Sequence, residues 1–292
     1  MTLGILGRAA ITAFFCLFVL FLYGPTLTIV ILSFQGPDGG LTFPMNGVSL
    51  HWFARLFEPQ AVGDFGGALK RSLLLALIVM AATVMISLAA GLAFRRRFIG
   101  ANALFTLTIA SLIIPSILVS LGIGLLFNLT GLDPAWYSSA LGAQLTWTLP
   151  FGLLIMFAVF NRFDRAWEEA ALDLGASPWQ RFRHVVLPII APSVVGVALF
   201  GFTLSYDEFA RTLLTAGSDN TLPLEIFGMT TNVTTPVLYA LGTVTTALSF
   251  LAIGVSLLTM AVLRRAATTR PSGSVPPAVQ TGIPAQIPPM PQ

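Results

Sequence analysis

The chain has 292 residues, of which 55% are hydrophobic and only 9% are charged. Soluble globular domains carry about 25% charged residues, so 15 basic and 12 acidic side chains are too few to cover the surface of a soluble domain of this size. The composition excludes an ordinary soluble enzyme, and the 23 Phe and 5 Trp exclude a disordered chain. With a single cysteine, Cys16, the fold cannot depend on an internal disulfide.

Long uncharged stretches predict an all-α polytopic membrane protein. A helix that crosses the hydrocarbon core needs about 20 predominantly apolar residues, and these stretches lack the period-two alternation of a membrane β-strand. Pro25, Pro115 and Pro150 lie inside or at the ends of the stretches and predict kinks. The six predicted transmembrane helices lie near residues 11–34, 72–94, 102–128, 138–160, 189–213 and 239–263.

The basic residues of the connecting segments fall unevenly on the two sides of the membrane. Because cytoplasmic loops carry an excess of Lys and Arg, both termini are predicted to be cytoplasmic. Residues 1–10 would be a short N-terminus, 11–263 the membrane domain and 264–292 a disordered Pro-rich tail. The basic residues on the side of the termini are Arg8, Arg95, Arg96, Arg97, Arg162, Arg165, Arg181, Arg183, Arg264, Arg265 and Arg270; those on the other side are Arg55, Lys70, Arg71 and Arg211.

Two further segments receive a structural interpretation. Arg95-Arg96-Arg97 indicates a topology anchor after the second helix, with a contact to anionic lipid or to a partner as the alternative. Residues 49–57 predict a short interfacial helix. Its larger side chains would belong to a membrane-belt face, and they are Trp52, Phe53, Leu56 and Phe57.

Motifs for catalysis, metal binding and nucleotide binding are missing from the sequence. The single lysine, Lys70, follows Leu69, so there is no phosphate-binding loop ending in Gly-Lys. The two histidines, His51 and His184, are predicted on opposite sides of the membrane and cannot share a metal. There is no G-x-S-x-G nucleophile motif, and the arginines do not form one basic face for nucleic acid. We therefore expect no catalytic, metal or cofactor site in this chain.

The predicted cytoplasmic loop 161–188, called the EAA loop below, combines charged and apolar residues in helical patterns. Its first half, 164–174, predicts a short amphipathic helix that ends at Gly175. Ser177-Pro178-Trp179-Gln180 then predicts a capping box and a second short helix. Leu187-Pro188 predicts a turn into the fifth membrane helix. The apolar positions of the first helix are Trp167, Ala170, Ala171 and Leu174.

The spacing of Glu169-Ala170-Ala171, Gly175 and Leu187-Pro188 resembles the EAA loop of binding-protein-dependent ABC importer permeases. Val185 stands where that family has Ile or a similar residue, a mild departure. The resemblance implies the type I ABC importer permease fold in a bacterial inner membrane, with this loop docked on a separate ATPase subunit. It also implies a second permease subunit of a distinct but related chain, an ATPase dimer that binds ATP and Mg, and an extracytoplasmic substrate-binding protein.

Two segments are similar to the spermidine/putrescine-type subgroup: Leu204 to Glu208, placed in the fifth helix, and Leu222-Pro223-Leu224. The likeness implies a polyamine substrate and makes Ser205, Tyr206, Asp207 and Glu208 candidates for an acidic substrate path that favours cations. Alternatively, Asp207 and Glu208 pair with Arg211 at helical spacing or contact the binding protein. Related permeases carry other small solutes, including opines, phosphonates and amino-acid derivatives.

Two other classes of membrane protein are weighed against this interpretation. An ion-driven secondary transporter would need a site completed within one chain or a homo-oligomer, often with inverted repeats and broken helices. No such repeat is visible, and the EAA loop would be unexplained. A membrane enzyme would need a nucleophile and a base at one depth of the bilayer, and none can be placed.

Overall fold

The structure, a computed structural model, describes residues 5–58, 64–96, 98–232 and 235–268. The predicted tail beyond residue 268, the first four residues and Arg97 lie outside the described residues. Within them the chain is helical, apart from an isolated antiparallel bridge between Gln35 and Val48. The helices are α1 (Ile5–Leu32), α2 (His51–Arg55), α3 (Phe65–Phe94), α4 (Ala101–Ala110), α5 (Ser116–Leu129), α6 (Ser139–Arg162), α7 (Ala166–Asp173), α8 (Pro178–Arg181), α9 (Leu187–Tyr206), α10 (Leu222–Asn232) and α11 (Val237–Thr268).

Five helical spans in the described ranges are long and apolar enough to cross a membrane, which confirms the all-α polytopic fold. They are α1, α3, α6, the run Pro178–Tyr206 and α11. The predicted third span, 102–128, is broken into the shorter apolar helices α4 and α5. The break lies before Pro115, which adopts φ −54° and ψ 130°. Proline has no N–H for the helical ladder and disfavours a helical conformation in the residue before it.

Several predicted helix ends are wrong. The fifth predicted helix, 189–213, ends at Tyr206, and residues 207–221 form a compact series of turns, called the turn segment below. The helix α10 that follows this segment was not predicted. The last helix continues to Thr268, so the predicted tail boundary at 264 falls inside α11.

Helices α3, α6 and α9 pack against one another and form the centre of the domain. Small and polar residues let their backbones approach, as at Gly152 beside Ser87 and Thr83. A buried apolar cluster on the EAA-loop side joins α6 to α9 through Met156, Phe160 and Ile190. A second cluster lies at the opposite end, where Leu56, Phe65, Tyr206, Leu222, Met229, Val237 and Leu241 pack together.

Helix α1 lies at the periphery and packs against α11. Its apolar side chains, including Phe14, Leu17 and Phe21, are mostly exposed. Such a surface suits contact with lipid chains.

A π-helical turn, Phe182–Val186, joins α8 directly to α9. The amide of Leu187 donates to the carbonyl of Phe182, five residues back, and Pro188 has no amide to donate. The predicted turn at Leu187-Pro188 is therefore wrong. The wider helical turn accommodates the proline, and the helix continues from the EAA loop into the membrane.

Candidate functional site

The first helix of the EAA loop ends in a glycine motif, as predicted. The amide of Gly175 donates to the carbonyl of Leu172 (2.8 Å), and that of Ala176 donates to the carbonyl of Ala171 (3.0 Å). This pair of bonds is the Schellman arrangement. It needs a left-handed residue, and Gly175 has φ +80°. The turn after α7 is therefore determined locally.

The second helix of the EAA loop begins with the predicted capping box. The hydroxyl oxygen of Ser177 accepts from the Gln180 amide (3.3 Å), and Oε1 of Gln180 accepts from the Ser177 amide (2.8 Å). Both bonds satisfy amides that the helix itself leaves unpaired. The two short helices thus carry their own end caps.

Most of the conspicuous side chains of the EAA loop are exposed. Trp167 is 62% exposed, Leu174 89% and Trp179 63%. Of the predicted coupling residues, Glu169, Ala170, Gly175 and Pro188 are exposed, whereas Ala171 and Leu187 are half-buried. The apolar positions of α7 therefore do not form a core with the rest of this chain. A patch of large exposed apolar residues next to charges is a usual sign of a docking surface.

The glutamate before the EAA sequence is held inside the molecule. Glu168 accepts two hydrogen bonds of 2.8 Å from the Arg95 guanidinium, which also lies over the rings of Phe160 and Phe163 at 5.4 and 5.3 Å. The hydrogen bond from Arg95 is the main cause that lowers the pKa of Glu168, and the same bond raises the pKa of Arg95. Arg165 adds a bond of 3.0 Å to the carbonyl of Arg95. Arg95 thus does more than the predicted topology anchor: it fastens α7 to the ends of α3 and α6.

The turn segment at the other end of α9 is built around Arg211, which is 0% exposed. Its guanidinium donates to Ser116 Oγ (3.2 Å), to the carbonyl of Ser111 (3.2 Å) and to Thr146 Oγ1, and it lies 4.9 Å from the Trp147 ring. Ser111 and Ser116 flank the break between α4 and α5. One buried cation therefore ties the turn segment to the broken helix and to α6.

Other polar side chains satisfy the irregular backbone of the turn segment. Ser120 accepts from the Leu214 amide (2.9 Å), and Ser139 donates to the carbonyl of Thr215 (2.6 Å). Gly217 has φ +75° and lies so close to the carbonyl of Pro134 that a Cβ would clash. Non-helical backbone within a membrane protein is stable only where such partners replace water.

The four residues predicted to line a substrate path are separated by the structure. Ser205 is buried and donates to Gln144, whose amide donates to Thr212 Oγ1 (3.0 Å). Tyr206 is 3% exposed, and its hydroxyl has no hydrogen-bond partner among the described residues. Both residues lie in the last turn of α9, within the helix predicted for them, and their side chains are buried.

Asp207 and Glu208 follow the end of α9 instead of lying within it. Glu208 Oε1 accepts from the backbone amide of Arg211 (2.8 Å), while the Arg211 guanidinium points towards α5 and α6. The Asp207 carboxylate forms no hydrogen bond or ion pair to any residue in the described ranges, so the alternative pairing with Arg211 is wrong for Asp207, whereas Glu208 does contact Arg211 through the Arg211 backbone amide. Asp207 lines an open cavity of about 350 Å³ with Tyr206, Phe209, Leu222, Pro223, Ile226, Phe227, Thr230 and Thr245.

Helices α2 and α10 pack over this end of the domain. Leu56 is 2% exposed, and Trp52 and Phe53 pack on the same buried cluster as Tyr206. The predicted membrane-belt face is therefore wrong for Leu56, whereas Trp52 and Phe53 are half-buried and Phe57 is strongly exposed, at 70%. Packing of these residues within the chain is favourable wherever it removes their apolar surface from water.

Three polar residues with a clear structural part were not predicted. Glu225, 8% exposed, accepts from the Asp64 amide (2.7 Å) and from Asn220 (2.8 Å). Gln144 joins α6 to α9 and the turn segment, and Glu168 joins α7 to α3. A polar residue within or beside an apolar membrane helix costs free energy unless it is paired. The presence of such residues in the sequence could therefore have indicated that each has a partner.

The fold defines an all-helical multi-pass membrane protein, and the exposed helix–turn–helix at one end has the features of a docking surface. Residues 82–267 match the family described as "Binding-protein-dependent transport system inner membrane component", and the chain belongs to this family. It is thus the multi-pass inner-membrane permease of an ABC importer rather than an enzyme. Membership removes the ion-driven transporter and the membrane enzyme as alternatives.

Individual relatives and a solved structure are similar to the chain over most of its length. The chain is 31% identical over 238 residues to the spermidine/putrescine transport system permease protein PotC of Haemophilus influenzae, covering 81% of this chain and 91% of that one. It is 29% identical to the putrescine transport system permease protein PotI of Escherichia coli K12, covering 76% and 80%. It shares the fold of a solved bacterial alginate ABC transporter in complex with an alginate pentasaccharide-bound periplasmic protein, with TM-score 0.59, 16% identity and coverage of 90% and 94%.

Proposed function

We propose that this chain forms half of the translocation path of an ABC importer for polyamines. A second, related permease would complete the path, two copies of an ATPase would bind ATP and Mg, and an extracytoplasmic binding protein would deliver the substrate. The observation that carries the substrate assignment is the similarity over 81% of the chain to a spermidine/putrescine permease. The orientation with both termini in the cytoplasm rests on the uneven distribution of arginines.

The cavity beside Asp207 supports a cationic substrate. Within the described residues the Asp207 carboxylate has no partner, and such a carboxylate attracts an ammonium group; Phe209 and Phe227 line the same cavity and would add cation–π attraction. We assign Asp207 the contact with the passing cation. Tyr206 would line the same cavity, whereas Ser205 and Glu208 would support Asp207 from the interior through their bonds to Gln144 and to the Arg211 amide. Contact with the binding protein remains the alternative role for Asp207.

The EAA loop supports coupling to the ATPase. ATP binding would draw the two ATPase subunits together, the docked helices α7 and α8 would follow, and the membrane helices would open to the outside. Glu169 and the exposed apolar residues of the loop would form the contact, with Gly175 shaping the turn. The small side chains of α7, Ala170 and Ala171, would allow close approach of the ATPase. Leu187 and Pro188 would shape the start of α9.

The substrate is tested first on the binding protein that operates with this permease. Thermal-shift measurements would use putrescine, spermidine, opines, phosphonates, amino-acid derivatives and sulfate. A shift with the polyamines alone supports the proposal. If only an anion raises the melting temperature, the assignment as an ABC importer is unaffected and the polyamine assignment is overturned.

The role of Asp207 is tested by Asp207→Asn in reconstituted transporter. Uptake of labelled putrescine should fall about tenfold, since one charge-assisted contact is lost. Asp219→Asn is the matched control, because Asp219 is exposed in the same segment but does not line the cavity. Equal uptake by the two variants would contradict the path assignment.

Coupling is tested by Glu169→Lys and by Gly175→Asp. Both variants should insert normally and lose the ATPase stimulation that the loaded binding protein produces. Gly175→Asp also places a side chain at φ +80°, which costs about 1 kcal/mol. Asp133→Lys, a charge reversal at an exposed residue distant from the EAA loop, should leave stimulation intact. Normal stimulation in both loop variants would remove the coupling assignment.

A further inference from the structure

Two adjacent glutamates at the start of the EAA loop have opposite surroundings. Glu168 is bound to Arg95, and Glu169 is exposed. Successive residues of an α-helix point about 100° apart, so an inward Glu168 turns Glu169 away from the membrane domain. The sequence Glu-Glu alone does not determine which of the two faces inward.

We propose that Arg95 is a positioning residue for ATPase coupling: by binding Glu168 it sets the rotation of α7 that presents Glu169 outward. The consequence for coupling rests on the proposed docking of α7 on an ATPase. The positioning itself rests on contacts within this chain.

Arg95 is held in place from both sides. Its guanidinium lies over Phe160 and Phe163 at the end of α6, and Phe160 belongs to the buried cluster that includes Val186 and Ile190. The side chains of Arg95 and Glu168 are only 16% and 20% exposed. A bidentate pair between a guanidinium and a carboxylate fixes direction as well as distance. The Glu168 carboxylate on α7 therefore accepts from an Arg95 guanidinium that Phe160 and Phe163 have already oriented.

Helix α7 needs such a fastening. It has eight residues, a length at which a helix is marginal by itself. Its far end is determined by the glycine motif, which fixes the turn but not the rotation of the helix against α3. Ala171, one turn after Glu168, is half-buried on the same side, whereas Ala170 is exposed. The difference in exposure between positions 170 and 171 therefore measures how α7 is rotated against α3.

The rotation is measured by cysteine labelling of the full chain. In a Cys16→Ser background, Ala170→Cys and Ala171→Cys are compared in permeabilised membranes without ATPase, using a water-soluble maleimide. With Arg95 present, position 170 should react on the order of fivefold faster than position 171. Arg95→Ala should bring the ratio to about one, and Arg95→Lys, which keeps the charge without the fork, should give an intermediate ratio.

Two further variants separate positioning from a loss of folding. Arg96→Ala removes an exposed neighbouring charge and should leave the ratio unchanged. Arg95→Glu combined with Glu168→Arg should restore about half of the ratio, because the ion pair returns without the contacts to the phenylalanine rings. A ratio that stays near five in Arg95→Ala would overturn the inference.

The consequence for coupling is then measured in the complete transporter. Arg95→Ala should lower the ATPase stimulation by the loaded binding protein about tenfold, a loss equivalent to about 1.4 kcal/mol, with partial recovery in the swapped pair. If the labelling ratio falls but stimulation stays normal, the positioning by Arg95 is supported and the proposed docking of α7 is overturned. The two failures are therefore distinguishable.

Discussion

The two ends of α9 satisfy their polar groups in opposite ways. The EAA loop caps its own helices through neighbours in sequence, as at Ser177 and Gly175, and leaves its large apolar side chains exposed. The turn segment buries Arg211 and depends on side chains from α5 and α6. The end caps of the EAA loop are thus local, and its bond to Arg95 is the distant contact described above, whereas irregular backbone among membrane helices needs several distant polar partners.

The largest expected effect is a loss of stability when the buried arginine of the turn segment is removed. Arg211→Ala should lower the free energy of unfolding by about 2–4 kcal/mol, since it leaves a cavity and several buried groups without their donor. Thermal unfolding of the purified permease in detergent measures this. Arg162→Ala, at an exposed arginine, is the control and should unfold at the parent temperature. Equal midpoints for both variants would mean that the turn segment does not depend on its buried cation.

An exposed residue of the EAA loop should behave in the opposite way. Leu174→Ser should change the free energy of unfolding by no more than about 0.5 kcal/mol, because Leu174 is 89% exposed. It should nevertheless weaken ATPase stimulation by the loaded binding protein in the reconstituted transporter. A stability loss as large as that of Arg211→Ala would show that the loop is part of this chain's own core, and the contrast between the regions would fail.

The smallest expected effect concerns pH at the ion pair between Arg95 and Glu168, which fastens the EAA loop to α3. Arg95 lowers the pKa of Glu168, so the stabilisation is present above the unfolded pKa of about 4.3 and is lost as pH falls below it through the folded value. The thermal midpoint of the parent should exceed that of Glu168→Gln at pH 7. The two midpoints should converge as the pH is lowered below about 4. A constant difference would assign the effect to packing instead of charge.

The sequence predicted features that depend on neighbours in the chain. The glycine stop at Gly175, the capping box at Ser177 and the apolar spans follow from spacing and composition, and the structure confirms them. Features that depend on distant partners were missed. Residues 207–213 contain no proline or glycine and so are compatible with a helix, yet the turns over 207–214 are stabilised by Ser116, Ser120 and Thr146, about 65 to 95 positions away.

The same limit explains why the contact of Arg95 with Glu168 was not predicted and why the predicted turn at Leu187-Pro188 is wrong. An arginine run after a membrane helix usually marks topology, and only the fold brings Arg95 to Glu168, 73 positions away. A proline usually ends or starts a helix. Here the π-helical turn before Pro188 keeps the helix continuous, and no residue preference announces such a turn.

That continuity has a mechanical consequence. The run Pro178–Tyr206 contains 29 residues without a break, and at 1.5 Å per residue it is a rod about 43 Å long. One end carries the EAA loop, and the other ends beside Asp207. A tilt of about 10° around its middle would displace each end by roughly 4 Å in opposite directions, by the same helix geometry. If an ATPase docks on the EAA loop as proposed, this helix would convert a push on the loop into a change in width of the cavity beside Asp207.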